Sequence, residues 1–484
     1  MNLPVYCSLF LQVAAAFVIA AVSAKHNLKE SKRLSGPLTN LEFHNDLMYI
    51  GGRNKIYALD KNLNIISSVN TCDGKEQDCN NINKVLVVDP TGNRLITCGT
   101  GKGGICELRG LDNLNSVQPL LISDLTVSID SDKPAVGMIT SNEKFVFAVT
   151  FGSGIEKKIT KVSFETYNYA ISTTDILALR LKKWLNLQIH EEVGLENYII
   201  YYKKCLQHAG FSYLVTNQRK EVDRSSSEYV SKFIRICQND TDYNSYADIV
   251  ITCGEYNLIQ DAILVNSENG SKIFMGIFTK NLDPNRNSGD SVICGVKLEE
   301  LDDAIEAAKK NFYINGCFDK DKTVLYLPNE IDKSVCPKNE TPFQPIYFHC
   351  ETAAPSFRYV TDSKSDVKFN MMFRLHAVDD TLTSLSSTVL NAESSVILAG
   401  TSTGNIIMMN FRNMSLAKYD MMSVDSSSTV NPVRAIYQED DDTLFVMTTD
   451  RISKFASSNC SEFKTCEATI KGKNPLCGWC VYNN

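Results

Sequence analysis

The chain has 484 residues, of which 43% are hydrophobic and 22% charged, and this composition argues against a disordered protein. Its net charge is −7, and basic residues occur only in short pairs such as Lys182-Lys183 and Arg219-Lys220, which argues against nucleic-acid binding through clustered Lys and Arg. A length of 484 residues fits about three ordinary domains, although one all-β domain can also be long.

The N-terminus contains an apolar run without charge, residues 5–22, which ends in the small-residue sequence Val22-Ser23-Ala24. Val22 and Ala24 occupy the −3 and −1 positions that a signal peptidase requires, so we expect residues 1–24 to be a signal peptide. No Lys or Arg precedes the run, which leaves an uncleaved membrane anchor as the alternative. No other stretch is apolar enough to span a bilayer, so the remaining chain is expected outside the cell.

The cysteine content agrees with an oxidising compartment, because the chain has 16 cysteines and disulfides persist there. Cys7 leaves with the signal peptide, and the odd number that remains implies a free thiol or a partner elsewhere. Secretion also makes every Asn-x-Ser/Thr sequence a candidate glycosylation site. The candidates are Asn239, Asn269, Asn339, Asn413 and Asn459.

One pattern recurs along the chain: an apolar run, a short polar turn that often contains Gly, and a second apolar run. The runs are rich in Val, Ile, Phe and Tyr, so the pattern predicts β-hairpins. Seven are predicted, at residues 48–59, 95–108, 145–164, 212–237, 272–298, 395–411 and 443–455. Several start 47 to 67 residues apart, about the length of a four-stranded blade, which favours an all-β propeller over two stacked sandwich domains.

A longer interval between the fifth and sixth hairpins contains a predicted helix at residues 297–312. Its apolar residues recur with a helical period, so we expect an amphipathic helix packed against the propeller wall. These residues are Leu298, Leu301, Ile305, Ala308 and Phe312. An insertion of this size has too small a core of its own, so disulfides are expected to brace it. The surrounding cysteines are Cys294, Cys317, Cys336 and Cys350.

Several short motifs resemble catalytic or metal-binding sequences, but their surroundings argue against those functions. Residues 99–104, GTGKGG, match the dinucleotide-binding fingerprint, yet a strand-like ICEL follows, and two cysteines flank the loop as a bridge across a hairpin would. His190-Glu191-Glu192 lacks the second His of a zinc helix, because residue 194 is Gly. The acidic run 439–442 is predicted to be an inter-strand turn rather than a calcium loop.

The CGWC sequence at residues 477–480 has neither the βαβ context of a redox motif nor two further ligands nearby for zinc. It is interpreted as part of a tryptophan core held by disulfides. No cofactor or metal is therefore predicted, and the protein is not expected to be an enzyme. We also expect no titratable side chains to converge at the central channel, as a propeller enzyme requires.

Several stretches together resemble one family, the plexins. They are residues 51–68, 81–89, 93–114 (NRLITCGTGKGGICELRGLDNL), 233–240 (FIRICQND) and 474–480 (NPLCGWC). The resemblance keeps its order from about residue 36 to the last residue. Hepatocyte growth factor receptors are similar in the cysteine hairpin and are the weaker alternative.

The resemblance implies a sema domain, which is a seven-bladed β-propeller with an insertion in its fifth blade. The propeller is expected over residues 25–457, with the insertion at about 298–350. Residues 458–484 then begin a small cysteine-rich plexin–semaphorin–integrin module that is incomplete here. The chain is therefore expected to be the front of a longer protein.

The resemblance also implies a set of cysteine pairs. They are Cys72–Cys79, Cys98–Cys106, Cys237–Cys350, Cys253–Cys294, Cys317–Cys336 and Cys460–Cys477. Cys205 has no implied partner, and a buried free thiol is preferred over an intermolecular bridge. Cys466 and Cys480 are expected to pair beyond Asn484. The chain departs from the family in a short Cys72–Cys79 loop and at Thr469, where the family has a cysteine.

By resemblance, the propeller binds the sema domain of a semaphorin edge to edge. This implies the extracellular part of a cell-surface receptor in guidance and cell-migration signalling, with homodimerisation or a coreceptor as further partners. The alternative is a secreted sema-domain protein that acts as a soluble decoy or as a semaphorin-like ligand. No local motif marks the contact surface, so the sequence predicts no ligand-binding residues.

Overall fold

The computed structural model describes two compact units. The larger unit comprises Ser35–Val265 and Ser271–Thr381, and the smaller one comprises Met1–Leu34, Asn266–Gly270 and Leu382–Asn484. The described residues within them are 28–72, 79–119, 127–150, 152, 169–175, 185–188, 198–220, 228–240, 243, 245–280, 289–318, 360–375, 380–391, 394–424, 435–440, 443–456, 460, 464–472 and 477. The predicted signal peptide lies outside them.

Five sheets form the larger unit, and within each the strands follow one another in chain order. Sheet 1 contains β2 (Leu38–His44), β3 (Leu47–Gly52), β4 (Lys55–Asp60) and β5 (Ile65–Asn70). Sheet 2 contains β6 (Asn83–Asp89), β7 (Arg94–Gly99), β8 (Cys106–Gly110) and β9 (Val117–Pro119). Sheet 3 contains β10 (Ala135–Ile139), β11 (Lys144–Val149), β12 (Tyr169–Asp175) and β13 (Leu185–Gln188). Sheet 4 contains β14 (Tyr201–His208), β15 (Phe211–Arg219), β16 (Tyr229–Cys237), β17 (Ala247–Thr252) and β21 (Val360–Lys368). Sheet 5 contains β18 (Leu258–Asn266), β19 (Lys272–Thr279), β20 (Ser291–Lys297) and β22 (Asn370–Leu375).

Two sheets form the smaller unit. Sheet 6 contains β23 (Leu382–Asn391), β24 (Ser394–Thr401), β25 (Asn405–Arg412) and β26 (Ser415–Ser423), and sheet 7 contains β27 (Ala435–Asp440), β28 (Thr443–Met447), β29 (Arg451–Ala456) and β1 (Leu28–Arg33). The last strand of sheet 7 is thus the first described strand of the chain. It pairs antiparallel with β29, with Leu28 opposite Phe455 and Arg33 opposite Arg451.

Successive sheets of the larger unit meet along their first strands. β6 lies beside β2, and β10 lies beside both β6 and β14. Apolar side chains fill the space between neighbouring sheets, as where Tyr49 and Ile56 of sheet 1 pack with Leu86 and Leu95 of sheet 2. Four-stranded sheets that adjoin through their first strands are blades of a β-propeller, so the predicted all-β propeller class is confirmed. Closure of all seven sheets into one ring stays a prediction.

The predicted hairpins are the second and third strands of each sheet. Their apolar character follows from burial, since β7 is buried at every position whereas the outermost strand β5 is exposed at alternate positions. The prediction for residues 145–164 is wrong in its return strand, because β11 pairs with β12 at Tyr169–Asp175. A periodic pattern locates a strand but does not specify its partner.

The predicted helix is present as α1 (Leu298–Phe318), which follows β20 directly and packs on β17 and β21. Leu298, Leu301, Ile305 and Ala308 are buried as expected, whereas the side chain of Phe312 is not described. The chain returns as β21, which pairs in parallel with β17 and gives sheet 4 a fifth strand that no hairpin pattern predicted. A second, short helix, α2 (Cys466–Gly472), lies in the smaller unit. Across the described segments, no helix combines the length and the apolar character needed to cross a membrane.

Candidate functional site

Disulfides join the described cysteines as the resemblance implies. The bridges are Cys72–Cys79, Cys98–Cys106, Cys253–Cys294 and Cys460–Cys477. Cys237 is also disulfide-bonded, but its implied partner Cys350 lies outside the described residues, as do Cys336 and Cys480. Cys317 lies in α1, and its side chain is not described. The pairs Cys237–Cys350 and Cys317–Cys336 therefore stay predictions.

Two described cysteines are free. Cys205, on β14, is half-buried, and burial raises the pKa of its thiol to about 12. A thiol with such a pKa is almost entirely protonated at neutral pH and is a poor nucleophile. Cys466 is exposed at the first residue of α2. Cys205 therefore has a free thiol in the described structure, and the preference for a free thiol over an intermolecular bridge stays a prediction.

The GTGKGG sequence forms a turn between two antiparallel strands. β7 and β8 pair so that Cys98 lies opposite Cys106, and Gly101–Gly103 form a single 3-10 turn between them. Gly104 has a φ of +82°, and a Cβ there would clash with the carbonyl oxygen of Val127. Glycine is needed for this close approach and positive φ, not to hold a phosphate at the start of a helix.

This hairpin lies at one end of sheets 1 and 2, where backbone and amide groups are closely interlinked. The Gly101 N–H donates to Asn81 Oδ1 at 2.8 Å, and the Asn54 N–H donates to the Asn81 carbonyl at 2.6 Å. The Val127 N–H donates to the Gly104 carbonyl at 2.8 Å. We call the region the braced end, and its residues are 53–54, 71–72, 79–82, 98–106 and 127.

A second group of turns lies in sheets 3 and 4, at the strand ends opposite to those of the braced end. We call this region the amide end, and its residues are 140–144, 207–210 and 238–240. The Ser141 N–H donates to Gln207 Oε1 at 2.7 Å, and the Gln238 N–H donates to the Gly210 carbonyl at 2.9 Å. Asn142 Nδ2 donates to Asn239 Oδ1 at 2.7 Å. Three turns from two sheets are thus joined by uncharged polar groups.

The two regions differ in the strands that their turns connect. Turns of the amide end join the first strand to the second, or the third to the fourth, and we call these odd turns. Turns of the braced end join the second strand to the third, or the fourth strand to the next sheet, and we call these even turns. Strand direction alternates within an antiparallel sheet, so odd and even turns lie at opposite ends of that sheet.

The described glycosylation candidates are all exposed residues of odd turns. Asn239 lies between β16 and β17, Asn269 between β18 and β19, and Asn413 between β25 and β26. Asn339 and Asn459 lie outside the described residues.

Three charged side chains on first strands meet in the larger unit. Lys204 of β14 forms an ion pair with Asp261 of β18, with 2.9 Å between Nζ and Oδ1. Burial raises the pKa of Glu42, on β2, to about 7, while the nearby Lys204 ammonium opposes this shift. The expectation that no titratable groups converge at a central channel stays a prediction, because Glu42 is a single carboxyl with a shifted pKa rather than a cluster of such groups.

This cluster contains an ion pair and one carboxyl group, and it does not make an active site by itself. Asp261 holds the Lys204 ammonium in its charged form, and the neighbouring Cys205 thiol is protonated. Each of these charged residues interrupts a largely apolar strand sequence, LEFH, YYKKC or LIQDA, and this local interruption is the only sign of the cluster in the sequence. Within the described part of the chain, no group of His, Cys, Asp or Glu side chains is placed to hold a metal ion.

The Glu42 carboxyl should make stability depend on pH. Its folded-state pKa of about 7 exceeds its ordinary value of 4.5, so the stability it contributes is complete below pH 4.5 and is lost as the pH rises through 7. Glu42→Gln should therefore gain on the order of 2 kcal/mol relative to wild type between pH 4.5 and pH 8, since the side chain is only half-buried. Urea unfolding of both proteins at several pH values in this range measures the gain in the free energy of unfolding. If this free energy changed equally with pH in the two proteins, the prediction would be contradicted.

Arg235, on β16, fixes α1 on sheet 4. Its guanidinium donates to Asp302 Oδ1 at 2.9 Å and to Glu306 Oε1, and it lies 4.5 Å from the centre of the Phe211 ring. Lys309 of the same helix is buried beside it, and desolvation, with the Arg235 charge, lowers the pKa of Lys309 to about 8. Charge-assisted hydrogen bonds at this depth hold the helix in one position.

The remaining motif predictions concern the acidic run and the histidine motif. Glu439 and Asp440 belong to strand β27, and residues 441–442 lie outside the described residues. His190 and Trp479 also lie outside them.

Comparison with known proteins gives several plexins among the relatives of this chain. No family model matches the chain. The chain is 23% identical to Plexin-A4 of Mus musculus over 489 residues, covering 90% of this chain and 25% of the relative. It is 24% identical to Plexin-B2 of Mus musculus over 536 residues, covering 99% of this chain and 27% of the relative. The chain thus spans about a quarter of the length of these curated relatives.

Solved structures share the fold. The full extracellular region of Plexin A4 matches with a TM-score of 0.73 at 20% identity, covering 91% of this chain and 48% of that one. A chain from the structure of Drosophila Plexin A in complex with Semaphorin 1b matches with a TM-score of 0.61 at 16% identity, covering 93% of this chain and 92% of that one. The chain is thus similar in sequence to several plexins over nine-tenths of its length, and it shares the propeller fold of the Plexin A4 extracellular region.

Proposed function

We propose that the chain is the extracellular ligand-binding portion of a plexin-like cell-surface receptor and that it binds a semaphorin through its propeller. The observation that carries this proposal is the similarity to plexins along 90% of the chain. The match to the Drosophila Plexin A–Semaphorin 1b structure supports the class of ligand. In this role the chain contributes to guidance and cell-migration signalling by recognition, and catalyses no reaction itself.

The domain boundaries form part of the proposal. The seven described sheets fit one seven-bladed propeller over residues 25–457, preceded by a signal peptide at residues 1–24. α1 is the described part of an insertion at about residues 298–350, and β21 follows that insertion. Residues 458–484 begin a plexin–semaphorin–integrin module, and the Cys460–Cys477 bridge belongs to it.

The physical features of the larger unit suit protein recognition. A specific interface buries about 1,600 Å² in total, and a surface that is already rigid loses little entropy when it binds. Disulfides and interlinked turns supply that rigidity, and disulfides together with exposed Asn-x-Ser/Thr sequences fit the extracellular side of a membrane.

Binding to semaphorins tests the proposal directly. Residues 25–484, produced by secretion and immobilised, should bind at least one semaphorin ectodomain of the source organism in surface plasmon resonance. The same protein unfolded by reduction is the matched control, because its disulfides are lost and no binding is expected. No binding by the native protein to any member of the full semaphorin set would overturn the proposal.

A further inference from the structure

Lys84 is the second residue of β6, and its side chain reaches the segment 127–134, which leads into β10. The Lys84 ammonium donates hydrogen bonds to the main-chain carbonyl oxygens of Asp130 and Lys133. Both carbonyls belong to one tight turn, because the Lys133 N–H donates to the Asp130 carbonyl at 3.2 Å. A charged side chain of sheet 2 is thus held by the backbone that enters sheet 3.

The same segment contacts the neighbouring sheets. The Thr150 N–H, just after β11 of sheet 3, donates to the Pro134 carbonyl at 3.0 Å. Lys133 Nζ lies 5.3 Å from the centre of the ring of Tyr201, which is the first residue of β14 in sheet 4. Together with Lys84 from sheet 2, these contacts make the segment a connection between three sheets.

The carboxylates near Lys84 favour its protonated form. Burial lowers the pKa of Lys84 to about 8, and the charges of Asp132 and Asp130 oppose this shift. The Lys133 charge favours the neutral form, but Lys133 is itself paired with Asp132, with 2.9 Å between Nζ and Oδ2. At neutral pH the Lys84 side chain is therefore mainly an ammonium ion.

The oxygen atoms around Lys84 are of the kind that bind a hard metal ion. Main-chain carbonyls and Asp carboxylates are usual ligands of Ca²⁺ in proteins. Here the carbonyls of Asp130 and Lys133 contact the ammonium, and the carboxylates of Asp130 and Asp132 act on its charge. We call these four groups the oxygen cage. A Cβ at Gly152 would lie 2.8 Å from Asp130 Oδ2, so the chain also packs tightly against the cage.

We propose that the Lys84 ammonium is the built-in cation of the oxygen cage, and that it orders the segment 127–134 as a bound metal ion would. Lys84 is thus a positioning residue that fixes the connection between sheets 2 and 3. Because the positive charge belongs to the chain, the order of this segment does not depend on dissolved Ca²⁺. The proposal concerns this chain alone and is independent of any semaphorin.

Lys84→Met tests whether the charge is needed, because Met keeps much of the length of the side chain and has no ammonium group. Amide hydrogen exchange of the secreted chain, followed by mass spectrometry, measures the order of the segment. Exchange in peptides that cover 127–134 should be faster by about tenfold or more, since two charge-assisted hydrogen bonds are lost. Amides of β7, which is buried at every position, serve as the internal reference for an intact fold. Unchanged exchange in the segment would overturn the proposal.

Lys133→Met is the matched control, because Lys133 is a second lysine in contact with the same turn. Its ammonium pairs with Asp132, whose side chain is 55% exposed, and an ion pair with such an exposed partner contributes little to stability. This variant should change exchange in the segment by less than about threefold. A change as large as that of Lys84→Met would show that the order depends on overall charge and would overturn the specific role of Lys84.

Rescue by added cations distinguishes a cation cage from a merely structural lysine. Lys84→Ala removes the ammonium and leaves the cage oxygens in the chain, so Ca²⁺ at about 5 mM, above the Kd of about 0.1–1 mM typical of extracellular calcium modules, should slow its exchange again by about threefold or more. Propylammonium, which resembles the lost side chain, should do the same, whereas Na⁺ at equal ionic strength should not.

Two further measurements place the ion in the cage. Lys84→Met should not respond to either cation, because the Met side chain occupies the position of the lysine, and a chelator should leave exchange in the wild type unchanged. If neither cation slows exchange in Lys84→Ala, or if both slow it equally in Lys84→Met, the proposal is overturned. Faster exchange of the wild type in the chelator would overturn it as well.

Discussion

Replacing Asp248 with Ala should lower the free energy of unfolding by about 3–5 kcal/mol. Asp248, on β17, accepts a hydrogen bond from Lys232 Nζ at 2.6 Å and from the Tyr246 hydroxyl at 3.0 Å. The Lys232 and Asp248 side chains are 2% and 0% exposed. Removing the carboxylate leaves an ammonium group buried without its counterion, and this cost exceeds that of losing one hydrogen bond.

An exposed ion pair of the same unit provides the control. Lys280 and Glu255 are paired with side chains that are 62% and 57% exposed, so Glu255→Ala should cost less than about 1 kcal/mol. Replacing both buried partners, Lys232→Met with Asp248→Leu, should recover most of the loss, because no charge is then left unpaired. Guanidinium unfolding followed by circular dichroism measures all three. Equal losses for Asp248→Ala and Glu255→Ala would show that water reaches Lys232 in the folded protein.

Removal of the Cys253–Cys294 disulfide should lower stability by roughly 4 kcal/mol, because the bridge closes a sequence separation of 41 residues. It connects the end of β17 in sheet 4 to β20 in sheet 5. In the unfolded chain the bridge restricts a long loop, and this restriction disappears in Cys253→Ala/Cys294→Ala.

The Cys98–Cys106 bridge is the matched comparison, because it closes a separation of only 8 residues and its cysteines are equally buried. Cys98→Ala/Cys106→Ala should cost about 2.5 kcal/mol on the same loop-entropy relation. Since lost packing is similar in the two variants, the difference between them reports loop length. Thermal unfolding of both variants at equal glycosylation measures which variant loses more stability. A larger loss of stability for the Cys98–Cys106 variant would contradict the prediction.

Much of the fold was predictable because the middle strands of each sheet are buried. The second and third strands have neighbours on both edges, so they appear in the sequence as apolar runs around a polar turn, as in 48–59 and 395–411. First and outermost strands have a weaker pattern. β5, with its alternating exposure, and the charged segments of β2 and β14 were not recognised for this reason.

The candidate surfaces were predictable only in part. Asn239, Asn269 and Asn413 were recognised from their local sequence, but that they all lie in odd turns follows from strand order. Likewise, nothing near Glu42 in the sequence indicates Lys204, which lies more than a hundred residues away. The pKa of Glu42 is set by packing that brings two first strands together.

Local sequence was sufficient to predict most of the hairpins, the helix α1, the turn at GTGKGG and the family resemblance that implies the cysteine pairs. Each depends on residues close in the chain or on a pattern that burial imposes directly on local sequence. Three features are visible only in the folded chain: β1 pairs with β29, β21 extends sheet 4 in parallel, and Lys204 pairs with Asp261 near Glu42. These contacts join residues that are far apart in the chain, and strand periodicity specifies the buried face of a strand but not its neighbour.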